Sequence, residues 1–542
     1  MTSMSDRRQV TATEIAERHE EKLLVLGPVL ESLDYELLSK VIEATFHYMM
    51  EADLIPDAPE ALIGAPLKVE YVSLLAQAQK AVGVAAIERT LGFAGSLAQL
   101  KPGVEDNLDG DAMLHSLHFE DGKAAYRSRF VETTGFLAEQ AAEKSLWPGI
   151  LAPGQYKRRG WGSMGAMKDN AGTDVNCHAG QLLVAMSQGS EPWRLDPVTL
   201  ENLGPDKNWA ADVMPVGVSA HFKVDVFTGE MMFFNYGETY PYMSYGVVDA
   251  DNRLTHYVPI ELEGPRWPHD LGVTKNYSIL HDLPFFFCPE AKKRGERKLV
   301  FHREKPARFG VIPRHGTNED IKWFEATPCY ILHLSNCFEE GDEVVMDGCI
   351  SVDPAKPPVG KVENVYEKIL DHLDKHRTKT RLYRWRFNMK TGQTSEEFLD
   401  DEVTEFPFFA NSVCGYPYRY SYGTLFKPGD WLFTGIKKYD LLNGTDSRFE
   451  YGVERYGSEP HVALRPNASA EDDGYIITIV TDMLRDVSEC LILDASDIAA
   501  GPIATIELPE RVSMGTHACW VEGHRIRGEA GQTLPGPWAL GE

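Results

Sequence analysis

After about residue 108 the sequence breaks into short apolar runs set apart by glycine, proline, aspartate and asparagine, and this rhythm limits the fold more than any other feature. The runs QLLVAMSQ, MMFFNYG, YILHLSN, EVVMDGCI, WLFTGIKKY, YIITIVTD and CLILDA are strand-length. Each is too short to bury a helix face. Many such strands with turn signals between them predict an all-β sandwich, barrel or propeller. About 430 residues of them exceed one sandwich and suit a propeller. No clean period of about 40–50 residues recurs, which excludes an obvious repeat propeller of the tryptophan–aspartate type.

Residues 10 to 105 follow a different pattern. Thr11 and Glu14 form a capping box that opens TATEIAERHEEKLLVLG. Leu33, Leu37, Leu38, Val41, Ile42, Phe46 and Met49 recur at three- and four-residue spacing, one apolar helix face. Asp53 to Pro66 reads as a loop, and Leu74, Leu75, Val82, Ile87, Leu91 and Leu97 mark a second helical stretch. The boundary falls between an α-helical segment, 1–108, and a β-rich domain, 109–542.

A formal net charge of −27 disfavours a general nucleic-acid or anionic-membrane surface. The eight cysteines include no C-x-x-C pair, which argues against a thiolate zinc site or a disulfide framework and fits a reducing cytoplasm. The N-terminus has no apolar signal core, and Glu88 and Arg89 interrupt the most apolar early run, so no transmembrane segment is expected. The basic run Lys292 to Lys298 reads as a solvated loop.

Among seventeen histidines, four have distinctive surroundings. His221 lies in SAHFKVDVFTGE, His269 in WPHDLGVTKNY, His333 in YILHLSNCFEEGDEVV and His517 in RVSMGTHACWV. They are 48, 64 and 184 residues apart, so no local motif joins them. A ring of blades could, by pointing one inner-strand residue from each of four blades at a common axis. His178, His281, His302 and His315 lack such contexts and read as structural or surface residues.

Together with DGDAMLHS, HAGQLLVA and EDDGYIIT, these contexts resemble the carotenoid cleavage oxygenase family from about Asp109 to the C-terminus. The resemblance implies a mainly β fold, a seven-bladed β-propeller, with the completeness of its N-terminal blade left open. It also implies a non-haem Fe(II) held by His221, His269, His333 and His517. Four neutral imidazoles would leave the ion its full charge and open positions for O2, unlike a two-histidine, one-carboxylate triad. Each ligand ring needs its other N–H held. In the family three glutamates do this; Glu405 and Glu471 match two of them, and the third position falls on Gln188, a neutral acceptor.

The stilbene-cleaving, lignostilbene dioxygenase-like branch of that family carries a tyrosine and a lysine that bind a phenolic 4-hydroxyl. Tyr126 in AAYRSRF and Lys168 in AMKDNAGTDV match them, and Thr173 matches a threonine near the open metal position. A lysine beside a phenol lowers its pKa, and the phenolate would activate the conjugated alkene. The implied reaction is cleavage of a C=C bond of a phenolic stilbene, or an apocarotenoid, by O2 to two aldehydes. The partners implied are therefore a small aromatic or polyene substrate and O2.

Leu67 to Lys80, with EKLLVLGPVL before it, resembles a fragment of the head-to-tail connector (portal) protein of short-tailed phages, up to about Lys101–Asp109. A fragment of that size cannot form a portal ring. The chain therefore reads as a fusion. The alternative function is a structural phage portal-type fusion protein with an inactive propeller.

Overall fold

The computed structural model describes residues 110–144, 146–147, 168–187, 189–213, 217–237, 240–287, 299–354, 379–427, 432–513 and 515–526. The helical segment expected over 1–108, Gln188 and the Lys292–Lys298 run lie outside these residues.

Among the described residues the fold is mainly β, arranged as successive antiparallel meanders. The first joins Asp174–His178, Gln181–Ala185, Trp193–Leu195 and Asn202–Pro205. Lys223–Val224, Met231–Tyr236, Met243–Val248 and Leu254–Ile260 make the second. The third comprises Gly272–Val273, Tyr277–Asp282, Ala307–Pro313 and Lys322–Ala326, with the hairpin Phe285–Phe287/Leu299–Phe301 inserted in it. Tyr330–Glu340, Glu343–Ser351, Arg381–Asn388 and Thr394–Phe398 form the fourth. A nine-stranded sheet then holds two more meanders, 404–450 and 461–507, linked through Arg455–Gly457. A separate hairpin, Met113–Glu120/Lys123–Phe130, precedes them all.

Among the described residues, each of the seven apolar runs singled out above contributes to a strand. Met231–Tyr236 is buried on both faces, which is why MMFFNY shows no alternation. Arg381–Asn388 alternates instead: Trp385 and Phe387 are buried, while Arg384 and Arg386 turn to Asp347 and Glu340. Successive sheets share cores. Leu183 and Ala185 pack with Met231 and Phe233; Phe234 and Tyr245 with Leu280 and Ile312; Phe309 and Phe324 with Trp385 and Phe387; Phe338 and Val345 with Tyr422 and Ile476. Each fully buried side chain of this size contributes about 1.5–3 kcal/mol, against about 1–2 kcal/mol of backbone entropy per ordered residue.

The first hairpin touches both ends of this succession. Leu114, with Ala112 and Val131 beside the hairpin, packs on the first meander, and Asn202 Nδ2 donates to the Phe130 carbonyl at 3.1 Å. Leu117, Phe119 and Tyr126 pack against Cys490 of the last and against Leu508 and Val512 just beyond it. The helix Thr134–Ala142 follows, capped by the Thr133 hydroxyl, which accepts from the Phe136 amide, and closed by Glu143 in the left-handed region at φ 51°. No described helix is long and apolar enough to cross a membrane.

Candidate metal centre

Three of the four singled-out histidines enter at the first strands of successive meanders, the second, third and fourth. His221 precedes Lys223–Val224, His269 precedes Gly272–Val273, and His333 lies within Tyr330–Glu340. His517 comes from the irregular segment after the last strand. Two local distortions aim them. His221 holds a left-handed backbone, φ 68°, a conformation that costs about 1–3 kcal/mol and persists only where its surroundings enforce it. The strand bearing His333 shifts register between Ile331 and Leu334, a bulge of the kind that re-aims side chains.

The rings converge. Centroids of His221 lie 4.7 Å from His269, 5.1 Å from His333 and 4.7 Å from His517. His333 is 5.2 Å from His269 and 4.8 Å from His517. One nitrogen from each of His221, His269 and His333 falls within a common 4.8 Å. His221 Nε2 and His269 Nε2 stand 3.1 Å apart. His333 Nε2 is buried with no hydrogen-bond partner among the described residues. Buried nitrogens facing one another without acceptors fit a shared cation, because an unmet buried polar atom costs about 1–3 kcal/mol.

Carboxylates stand behind three rings and hydrogen-bond two of them. His333 Nδ1 lies 2.6 Å from Glu405 Oε2. His517 Nδ1 lies 3.2 Å from Glu459 Oε2, which also accepts the Ala518 N–H at 2.7 Å. Asp174 Oδ2 accepts the His221 backbone N–H at 3.1 Å and stands 3.5 Å from His221 Nδ1. Glu405 sits in a strand that shifts register beside it, and the next residue, Phe406, is left-handed at φ 47°.

Burial pushes His221 and His269 well below the usual histidine range, helped by the neighbouring imidazoles. His333 is pushed down to about 3, first by burial and then by His517. Burial pushes Glu405 up to about 8, so this pair favours its neutral forms. The His517–Glu459 pair goes the other way. Burial opposes both charges, but their mutual attraction outweighs it, raising His517 and lowering Glu459. Three rings are thus ready to ligate as neutral imidazole, which is the form a metal takes.

Glu471 does not reach the cluster. Its carboxylate accepts the backbone N–H groups of Arg419 and Tyr420 at 2.8–3.1 Å, and Glu459 occupies the place at His517. The two glutamates are 12 residues apart on one stretch, and only the fold separates their roles. Asp174 was not foreseen either, although it directly follows Thr173. The Thr173 hydroxyl accepts the Ser187 N–H at 2.8 Å, which fixes it beside that carboxylate.

Tyr126 and Lys168 have separate partners. The Tyr126 hydroxyl donates to Glu510 Oε1 at 2.8 Å and meets His115 Nδ1 at 2.6 Å. Burial and Glu510 keep it a neutral phenol. Lys168 Nζ pairs with Asp111 and, at 2.7 Å, with Glu139 Oε2 of the helix. Among the remaining histidines, His178 belongs to a buried network with Arg194, and His281 packs edge-on to Phe309 at 5.4 Å. His302 and His315 pair with Glu304 and Glu230.

A family model described as retinal pigment epithelial membrane protein matches residues 93–522. One described as bacteriophage head to tail connecting protein matches residues 1–122. The chain is 35% identical over 456 residues to a carotenoid 9,10(9',10')-cleavage dioxygenase of Pisum sativum, covering 78% of this chain and 82% of the relative. Its fold is similar to the lignostilbene dioxygenase of Pseudomonas brassicacearum, with TM-score 0.67, 26% identity, and coverage of 78% and 90%. It is also similar to cobalt-substituted Synechocystis apocarotenoid oxygenase, with TM-score 0.67, 25% identity, and coverage of 78% and 90%. By this coverage and identity, the chain belongs to the carotenoid cleavage oxygenase family, that of the retinal pigment epithelial membrane protein.

Proposed function

We propose that the protein is a non-haem Fe(II) dioxygenase that cleaves a C=C double bond of a phenolic stilbene with O2, one oxygen atom going to each of two aldehydes. An apocarotenoid is the near alternative substrate. The observation that carries the reading is the convergence of His221, His269, His333 and His517, with carboxylates behind three of them. Histidine nitrogens with held outer N–H groups suit Fe(II), and the lack of a ligating carboxylate would leave the ion's charge undiminished. When bound, the iron would supply the activation of O2.

The chain's own residues would do the rest. Glu405, Glu459 and Asp174 orient the ligands. Tyr126, kept protonated, can exchange its bond to Glu510 for one to the phenol of the substrate. Lys168 can favour phenolate only by releasing Asp111 or Glu139, which makes Tyr126 the sharper test. Thr173 lies beside Asp174 and would line the approach to an open metal position.

We also read the six meanders and the first hairpin as seven blades about one axis, the hairpin being a short blade. Its packing on both the first and last meanders supports this. The oxygenase domain would begin near Asp109, after the connector-like stretch. A structural phage protein has only residues 1–122 in its favour, whereas every histidine of the cluster lies outside them.

The test is incubation of iron-loaded protein with a 4'-hydroxystilbene under labelled O2. The reading expects two aldehydes, each labelled, and a drop of about tenfold in stilbene kcat/KM for Tyr126→Phe, the worth of one hydrogen bond to substrate. Folded, iron-loaded protein that cleaves neither stilbenes nor apocarotenoids would overturn it.

A further inference from the structure

One carboxylate outside the ligand set ties three ligand-bearing segments together. Asp270 directly follows His269 and is 2% exposed. Its Oδ1 lies 2.7 Å from Lys223 Nζ, and Lys223 stands two residues after His221. The same oxygen accepts the Leu271 N–H at 2.7 Å. Its Oδ2 accepts the Leu334 N–H at 2.8 Å, and Leu334 directly follows His333. The entry segments of the second, third and fourth meanders thus meet at one side chain. Charge-assisted hydrogen bonds of this kind are short and directional, and a low-dielectric interior strengthens them.

We infer that Asp270 is a positioning residue that fixes His221, His269 and His333 relative to one another, acting through Lys223 and the Leu334 amide. The inference rests on the metal reading of the cluster. An aspartate suits the task because it accepts from a side chain and two amides at once. An asparagine would turn an NH2 group toward one of these three donors. The lysine is required as well as the donor. It is the only one of the three contacts made by the His221 segment, and it neutralises a carboxylate that would otherwise be buried with its charge uncompensated.

A clamp and a bystander ion pair differ in sign. If the two charges acted only through their fields, Asp270→Asn would leave a lysine cation beside the site and weaken metal binding. Lys223→Met would leave an anion and tighten it. If they position ligands, both variants weaken it, by about 10- to 100-fold as for other outer partners of metal ligands. The double variant would then bind no worse than Asp270→Asn alone, because the same contact is lost.

The experiment is titration of the full-length metal-free protein with Co(II), reading both affinity and the visible ligand-field spectrum, with circular dichroism as a check on folding. The clamp predicts weaker binding and an altered spectrum for Lys223→Met, and no further loss in the double variant. Lys223→Met protein that binds Co(II) as tightly as wild type or tighter, with an unchanged spectrum, would overturn it. If Asp270→Asn protein does not fold, Lys223→Met alone decides. Wild-type protein that takes up no Co(II) would instead sink the metal reading itself, and the clamp with it, before any variant is compared.

Discussion

His333 Nδ1 and Glu405 Oε2 lie 2.6 Å apart, and each residue stands at a register shift in the first strand of its own meander. The distortions and the contact belong together, because an undisturbed pleat would alternate side chains regardless of the neighbouring sheet. Glu405→Gln keeps the shape and an acceptor oxygen but cannot carry charge. It is expected to lower metal affinity about 10- to 100-fold, measured by titrating metal-free protein, with the circular dichroism spectrum unchanged.

Glu459 and Glu471 separate a site role from a structural one. Glu459→Gln weakens the hold on His517 and lowers metal affinity. Glu471→Ala leaves the Arg419 and Tyr420 amides without their acceptor. It is expected to cost about 1–3 kcal/mol of stability, seen as a lower Tm with metal stoichiometry preserved. The reverse assignment of effects would contradict the geometry.

His178 sets a pH dependence away from the histidine cluster. Burial, then Arg194, pushes it down to about 4, from 6.5 in the unfolded chain. A depressed histidine leaves the fold at full stability above about pH 6.5, and that stability is lost as pH falls toward 4, by about 3 kcal/mol in all. His281 is depressed in the same direction. Chemical denaturation across this range is therefore expected to show a shallower slope for His178→Gln, reduced but not abolished.

Lys168 neutralises Asp111 and Glu139 at the start of the described chain. Lys168→Met would leave two buried carboxylates without that cation, a loss of about 3–5 kcal/mol. Urea unfolding should show it as a lower midpoint. A Lys168→Met protein of wild-type stability would mean that the ion pairs do not anchor the helix.

The strands were legible because each apolar run is bounded by turn residues, and the histidines because their local contexts are specific. What pairs with each ring was less so. Glu405 was readable from its immediate neighbours, but Glu459 and Glu471 differ only in where the last meander places them. Asp174 reaches His221 across two meanders, a contact that no local pattern encodes. The left-handed backbone of His221 was equally hidden, since the residue is neither glycine nor asparagine and its strain is imposed by the surrounding fold.

The central claim is that four histidines from distant parts of the chain hold one metal ion. Iron analysis of purified full-length protein, wild type against His333→Ala, tests it most directly. The account predicts about one iron per chain in the wild type, and none retained by a folded His333→Ala variant. Folded wild-type protein that stays metal-free in the presence of Fe(II), or iron held undiminished by the variant, would contradict it.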